Sequence, residues 1–488
     1  MNQTDIASMM QLRLFPKWLG GKSIAFFFIA MLACWVAFGY VPGLDLILAA
    51  SISVVLFFGA GQAMAIKWLR TSEKTFLMNI FVSGLVIRLL WVLYMYFIFN
   101  PEHYGNTYGD RADVDWYMDF GRGLADWITG DTNHTLAQVR NFYQSAIDDI
   151  GYPMILAIEY LLTGGISDVF VPMVVKIVMS AYCAVLIYRI ALRHFGVGTA
   201  RIAAIFICLN PNIIYWCASM MKEAEMVFVC CFAVDNLDEA FSSGNRLNFR
   251  VLWPGLLAGL VLFFMRSALG LALFMGVMAH LVFASKRMMS VGKKVIAGVL
   301  VVLVLFIGIG DRIINQSKGY LERIQSDAQQ VNMEWRSERT GGNSLAKYAG
   351  AAVFAPLIFT IPFPTLNEAL ATQLLQVQLA GGSYIKNILS YFVIIVLITL
   401  LITGKWRDHV FILAYTCAYL VVLVLSEFAQ SGRFHMPIWP MLMLLSAYGI
   451  QQVRQNKQLK KLYIYVLFAE VFVCLVWNWF KLAGRGMI

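Results

Sequence analysis

Residues 109–127 read GDRADVDWYMDFGRGLADW, with four of its five carboxylates (Asp110, Asp113, Asp115, Asp119) set among Trp116, Tyr117 and Phe120. They belong to a polar island, Asn100 to Tyr152, in a chain that is otherwise almost continuous hydrocarbon. Of 488 residues, 60% are hydrophobic and 14% charged, and the mean hydropathy is +0.70. A soluble domain of this length does not carry that balance. The apolar residues come in runs close to the roughly 20 that a helix needs to cross about 30 Å of hydrocarbon. The island therefore decides the reading: a membrane protein has no structural need for it.

Working outward, apolar runs lie near 24–41, 45–66, 76–99, 170–188, 200–218, 224–240, 251–265, 267–285, 295–311, 387–403, 410–427, 434–450 and 461–480. The expectation is an all-α, polytopic membrane helix bundle of about 13 spans, forming one domain over 1–488. Segments 152–164 and 346–363 are apolar but short or interrupted by proline, and suit re-entrant or interfacial helices. The formal net charge of +10 sits largely in short loops, so it reads as topology and not as nucleic-acid binding. Basic loops at Lys67–Lys74, Arg189–Arg201, Lys286–Lys294, Lys405–Arg407 and Arg454–Lys461 mark one cytoplasmic side, provided the two short segments do not cross. The polar features that remain then face the opposite compartment together. These are the island at 100–152, Lys222–Glu223, Arg266, the charged loop at 311–345 and the turn Glu427–His435. The localisation expected is a bacterial inner membrane, with the site on its outer face.

The eight cysteines lie in apolar runs without metal spacing and read as inert thiols. No P-loop, GxSxG elbow or HExxH helix is present, and six scattered histidines make no zinc pattern.

Several residues stand out as candidates. From Asp115 to Trp127, the apolar residues Trp116, Phe120, Leu124 and Trp127 recur at helical spacing, as in an amphipathic helix lying in the membrane interface. Asp113 and Asp115 fall at its start. There an Asp serves either as a cap or as a general base, or it holds a divalent cation with Glu223. Lys222–Glu223 opens an apolar run. This pair is either a solvated boundary, or Lys222 neutralises a phosphate while Glu223 binds sugar hydroxyls or a metal. Arg266 and Arg433 suit phosphate through the guanidinium fork, or pair with a carboxylate. Arg88 and Lys176 lie within apolar runs and must face the bundle interior or a cavity. Arg339, Ser344 and Lys347 are further candidate contacts to phosphate or acceptor.

Four stretches resemble the membrane-integral GT-C glycosyltransferases, which include protein O-mannosyltransferases and the aminoarabinose transferase of lipid A. Asp113-Val-Asp-Trp-Tyr117 followed by Ala125 is similar to that superfamily's D-x-x-x-Y…A pattern. IGYPMILAIEYLLTGG (150–165) is similar to its PPGYP-type helix, and LNPNIIYWCASMMKEAEM (209–226) to its P…tE segment, with Glu223 in the acidic position. SGRFHMPIWPMLMLLSAYGI (431–450) resembles its R-[YF]-x-x-P ending. The chain departs from the pattern in placing the acidic loop after a third span, in having Ile150 before Gly151, and in having Lys222–Glu223 where Thr-Glu is usual.

The resemblance implies a polyprenyl-phosphate sugar donor; a glycan, lipid or protein acceptor; and inversion at the sugar carbon. It also implies Asp113 as catalytic base with Asp115 as rival or assistant. Tyr117, Lys222, Glu223, Arg266 and Arg433 would bind substrate. Two alternatives stand beside this reading: a polymerase or ligase of lipid-linked oligosaccharides, and a transporter or flippase of polysaccharide precursors.

Overall fold

The computed structural model describes residues 17–109, 113–130, 149–164, 169–242, 249–283, 343–345, 353, 355–368, 374–425, 429 and 431–488. Asp110, Glu427, Arg339, Lys347, the expected span at 295–311 and most of the loop at 311–345 lie outside these residues. Within them the chain is all-helical, with no strand.

In chain order the helices are α1 (Lys17–Phe38), α2 (Leu44–Lys67), α3 (Glu73–Tyr104), α4 (Val114–Thr129), α5 (Gly151–Leu162) and α6 (Phe170–Cys208). Then follow α7 (Pro211–Tyr215), α8 (Glu223–Ser242), α9 (Phe249–Met265), α10 (Ser267–Phe283), α11 (Leu374–Gln378) and α12 (Ala380–Ile402). The chain closes with α13 (Val410–Leu425), α14 (Gly432–His435), α15 (Trp439–Gln455) and α16 (Lys457–Ala483).

Six stretches are long and apolar enough to cross a membrane: Trp18–Phe38, Leu44–Lys67, Glu73–Tyr104, Phe170–Cys208, Ala380–Ile402 and Lys405–Leu425. The protein is membrane-embedded on this ground. Helices α5, α9 and α10 are apolar but shorter.

Lipid contact explains the outward faces. On α16 the buried residues Tyr463, Leu467, Glu470, Cys474, Trp477 and Asn478 follow helical spacing, while Tyr465, Phe468 and Phe472 on the other side are 61–70% exposed. In water such a stripe would be a liability; against lipid it is the favoured surface. Lipid removes the hydrophobic drive for helix association, so packing and hydrogen bonds must hold the bundle. Ser23 of α1 does this for three helices. Its hydroxyl lies 2.6 Å from the Tyr463 hydroxyl of α16, and its carbonyl accepts from Tyr384 of α12 at 2.7 Å.

Helix α6 is the centre, packed on α3, α8 and α15. The sequence places a basic loop between runs ending at 188 and starting at 200. The structure turns the chain back here at Gly196, whose φ of 79° and ψ of 174° only glycine adopts without strain, so that Tyr188 and Arg201 both lie on Phe76 and Ser180 and Cys208 both reach Arg88. The two expected runs are therefore the two arms of α6, folded back on each other at Gly196. Its far end is closed by Arg88, which is fully buried and donates to the carbonyls of Ile207 (3.1 Å) and Cys208 (3.0 Å) and to the Ser180 hydroxyl (2.7 Å). Carbonyls at a helix end run out of donors from within the helix, so the buried guanidinium adds to the Asn210 amide, which bonds the Ile207 carbonyl at 3.4 Å. The expectation that Arg88 and Lys176 face the bundle interior holds: both are 0% exposed.

Of the segment 346–363, the described part carries a short 3-10 turn at Ala355–Leu357 and non-helical chain from Ile361. Asn478 of α16 holds this chain, accepting from the Leu366 amide and donating to the Pro364 carbonyl.

Candidate functional site

Helix α4 begins at Asp113, which takes the capping position but makes no capping hydrogen bond. Its carboxylate instead accepts from Arg433 Nη1 at 2.7 Å, and at 53% side-chain exposure it remains reachable. The buried face of α4 is Val114, Tyr117, Met118, Gly121 and Ala125, packed on α5. The aromatic stripe lies one step around the helix from this packed face: Trp116, Phe120 and Leu124 are half-buried and Trp127 is exposed. Gly121 and Gly151 allow the close packing. A Cβ on Gly121 would lie 2.8 Å from the Leu156 Cβ, and one on Gly151 would lie 3.0 Å from the Met265 amide nitrogen. The glycine of the Gly-Tyr-Pro entry is thus where α5 seats on the end of α9.

Four further elements converge there. Glu223 is the first residue of α8, where the helix dipole favours a carboxylate, and it is fully buried. Its Oε1 accepts from Arg433 Nε at 2.5 Å and lies 3.8 Å from Arg266 Nη2. Its Oε2 has no hydrogen-bond partner among the described residues. Arg266 is the single-residue joint between α9 and α10; its guanidinium lies 4.3 Å from the Phe434 ring centroid and 3.4 Å from the Tyr419 hydroxyl. Arg433 sits on α14, a one-turn helix fixed by His435, which bonds the Ala429 carbonyl at 2.7 Å and Lys386 at 3.1 Å. Burial works against the Arg433 charge, but Glu223 beside it outweighs that and raises its pKa.

Lys222 is 2% exposed, and its ammonium donates to Asp149 and, at 2.7 Å, to the Met265 carbonyl. Tyr117 stands over it, with the Lys222 Nζ 5.8 Å from the ring and the hydroxyl 3.4 Å from Asp149. Burial raises the Tyr117 pKa, and the charge of Glu223 adds to this, so it is a neutral donor here. Below it, Tyr152 packs edge-on at 5.2 Å.

The structure thus brings together Asp113, Tyr117, Lys222, Glu223, Arg266 and Arg433 from four stretches of chain. Asp115 is not part of this group: it is half-buried in the first turn of α4 and has no hydrogen bond or ion pair with the cluster among the described residues. Ser344 is also elsewhere, bonded through its amide and hydroxyl to the Gly484 carbonyl near the C-terminus. Three members escaped the sequence reading. Asp149 carried a usable signal, since it directly precedes the Gly-Tyr-Pro turn. Phe434 stood in the R-[YF]-x-x-P ending, and Tyr419 carried no signal, being one aromatic among many.

For a divalent cation the fit is poor. No three His, Cys, Asp or Glu side chains converge among the described residues, and Arg433 already bridges Asp113 and Glu223. A cation would have to displace that guanidinium, so no step is assigned to one.

No protein-family model matches this sequence, and neither a curated protein nor a solved structure is significantly similar to it.

Proposed function

We propose that this protein is a membrane-integral glycosyltransferase of the GT-C kind. It would move a sugar from a polyprenyl-phosphate donor to a glycan, lipid or protein acceptor outside the cytoplasm. The observation that carries the reading is the single cluster formed by Asp113, Glu223, Arg266 and Arg433, residues up to 320 positions apart in the chain. Asp113 is its one exposed carboxylate and suits the general base that takes the acceptor hydroxyl's proton. Arg266 and Arg433, flanking Phe434, would stabilise the leaving phosphate. Lys222, tied to Asp149 and Met265, would hold the frame and not the phosphate. The unpartnered Oε2 of Glu223 would accept from a sugar hydroxyl. In this reading the bundle has about thirteen spans, and α4 lies in the outer interface with Trp116, Phe120 and Trp127 toward lipid.

The transporter reading expects charges lining an aqueous path. Arg88 and Lys176 instead have their donors committed to protein acceptors. The class test places the purified protein in proteoliposomes with radiolabelled polyprenyl-phosphate sugars and envelope extract as acceptor. Transfer of label to the acceptor is expected; movement of the lipid across the bilayer with no transfer would sink the proposal.

A further inference from the structure

Helix α5 carries one carboxylate in an otherwise apolar sequence, Glu159 in MILAIEYLL, and it lies on the buried face with Tyr152, Leu156 and Tyr160. Glu159 is 8% exposed, and neither of its carboxylate oxygens has a hydrogen-bond partner among the described residues. The nearby cation is Lys176 of α6, whose three ammonium protons are already placed. They go to the Tyr152 hydroxyl at 2.8 Å, the Met221 carbonyl at 2.5 Å and the Glu225 carboxylate of α8 at 3.0–3.2 Å. Two buried carboxyls therefore share one ammonium, which leaves one negative charge without compensation. An unpaired buried charge is costly enough that the group takes up a proton instead.

The surroundings offer no other remedy. From α4, Arg122 lies 5.9 Å over the Tyr160 ring, with Asp119 of the same helix countering its charge there. From α9, no charged side chain occurs between Val251 and Met265. From α8, Glu225 adds a like charge.

We propose that Glu159 is a proton-binding site, holding a proton as the neutral member of a buried Glu159/Glu225 pair served by one lysine. Burial first, and then the Glu225 charge, push its pKa up to about 7. Because the folded value is raised, the stabilisation is complete below the ordinary carboxylate pKa and is lost as pH rises through about 7. Loss of the proton makes Glu159 a competitor for Lys176, whose Nζ holds Tyr152, and Tyr152 packs under Tyr117 at the floor of the cluster. The proton thus sets the order of that floor. None of this depends on the glycosyltransferase reading.

The test is infrared spectroscopy of the full-length protein in lipid nanodiscs. The wild type is expected to show a carboxylic-acid C=O band at about pH 6 that fades by about pH 8. The part of that band contributed by Glu159 should be missing from Glu159→Gln, whose melting temperature should also lose part of the wild type's fall over the same range. Glu225→Gln removes the neighbouring charge and should move the titration to lower pH. It carries the test alone if Glu159→Gln does not fold. A Glu159→Gln protein with an unchanged acid band, or a Glu225→Gln protein with an unmoved midpoint, overturns the proposal.

Discussion

At its first residue α8 offers Glu223 to Arg433 and Arg266, which come from α14 and from the joint between α9 and α10. About 18 Å further along, at 1.5 Å per residue, it offers Asp235, Asp238 and Glu239 to Arg189 and Arg193 of α6. Both ends use an arginine to bridge two carboxylates: Arg433 between Asp113 and Glu223, Arg193 between Asp235 and Asp238. The partners differ in origin. The Arg193 set joins two neighbouring helices along their shared seam, and its two bridged carboxylates are 1% and 3% exposed. The Arg433 set gathers distant stretches, and one of its carboxylates is 53% exposed. The first geometry is a clasp that settles the helix pair. The second keeps a charged group reachable where several chain segments end, as a site requires.

That contrast can be broken by experiment. Arg193→Ala should leave Asp235 and Asp238 buried without their bridge and cost about 3–5 kcal/mol of stability, read as a fall in melting temperature, while transfer per folded molecule stays near wild type. Arg433→Ala should do the reverse in emphasis, lowering the transfer rate about 10²- to 10³-fold in protein that still purifies folded. If Arg193→Ala removed transfer from folded protein, the inner cluster would be more than a clasp. A smaller effect is expected at Phe434→Leu, which removes the ring beside both outer arginines and should weaken donor binding by about 0.5–2 kcal/mol, seen as a raised KM. Asp115→Asn should change transfer least, because Asp115 lies outside the bridged set among the described residues; a loss equal to that of Asp113→Asn would move the base assignment.

Much of this was legible from residue type and spacing. The apolar runs announce the helices, and Gly151-Tyr152-Pro153 announces the entry to α5. The segregation of Asp113, Lys222, Glu223, Arg266 and Arg433 to one side follows from counting basic loops. Pairing was not legible. Nothing in the sequence tells that Arg433 takes both Asp113 and Glu223, or that Lys222 is held by Asp149 and a carbonyl, because these contacts depend on how helix ends meet in space. The face of α4 that packs on α5 was not legible for a related reason. Large aromatic residues dominate a hydropathy pattern, whereas close packing on α5 selects the small residues Gly121 and Ala125. The turn of α6 at Gly196 was legible from the arginines around it, whereas the pairing of Arg189 and Arg193 with Asp235, Asp238 and Glu239 was not.

The central claim is that Asp113 and Arg433 belong to one catalytic cluster. Its most direct test is the initial rate of sugar transfer from a polyprenyl-phosphate donor in proteoliposomes, compared for wild type and Asp113→Asn at matched folded amounts. The account predicts a fall of about 10²- to 10⁴-fold with the melting temperature little changed. Full transfer by Asp113→Asn would contradict it.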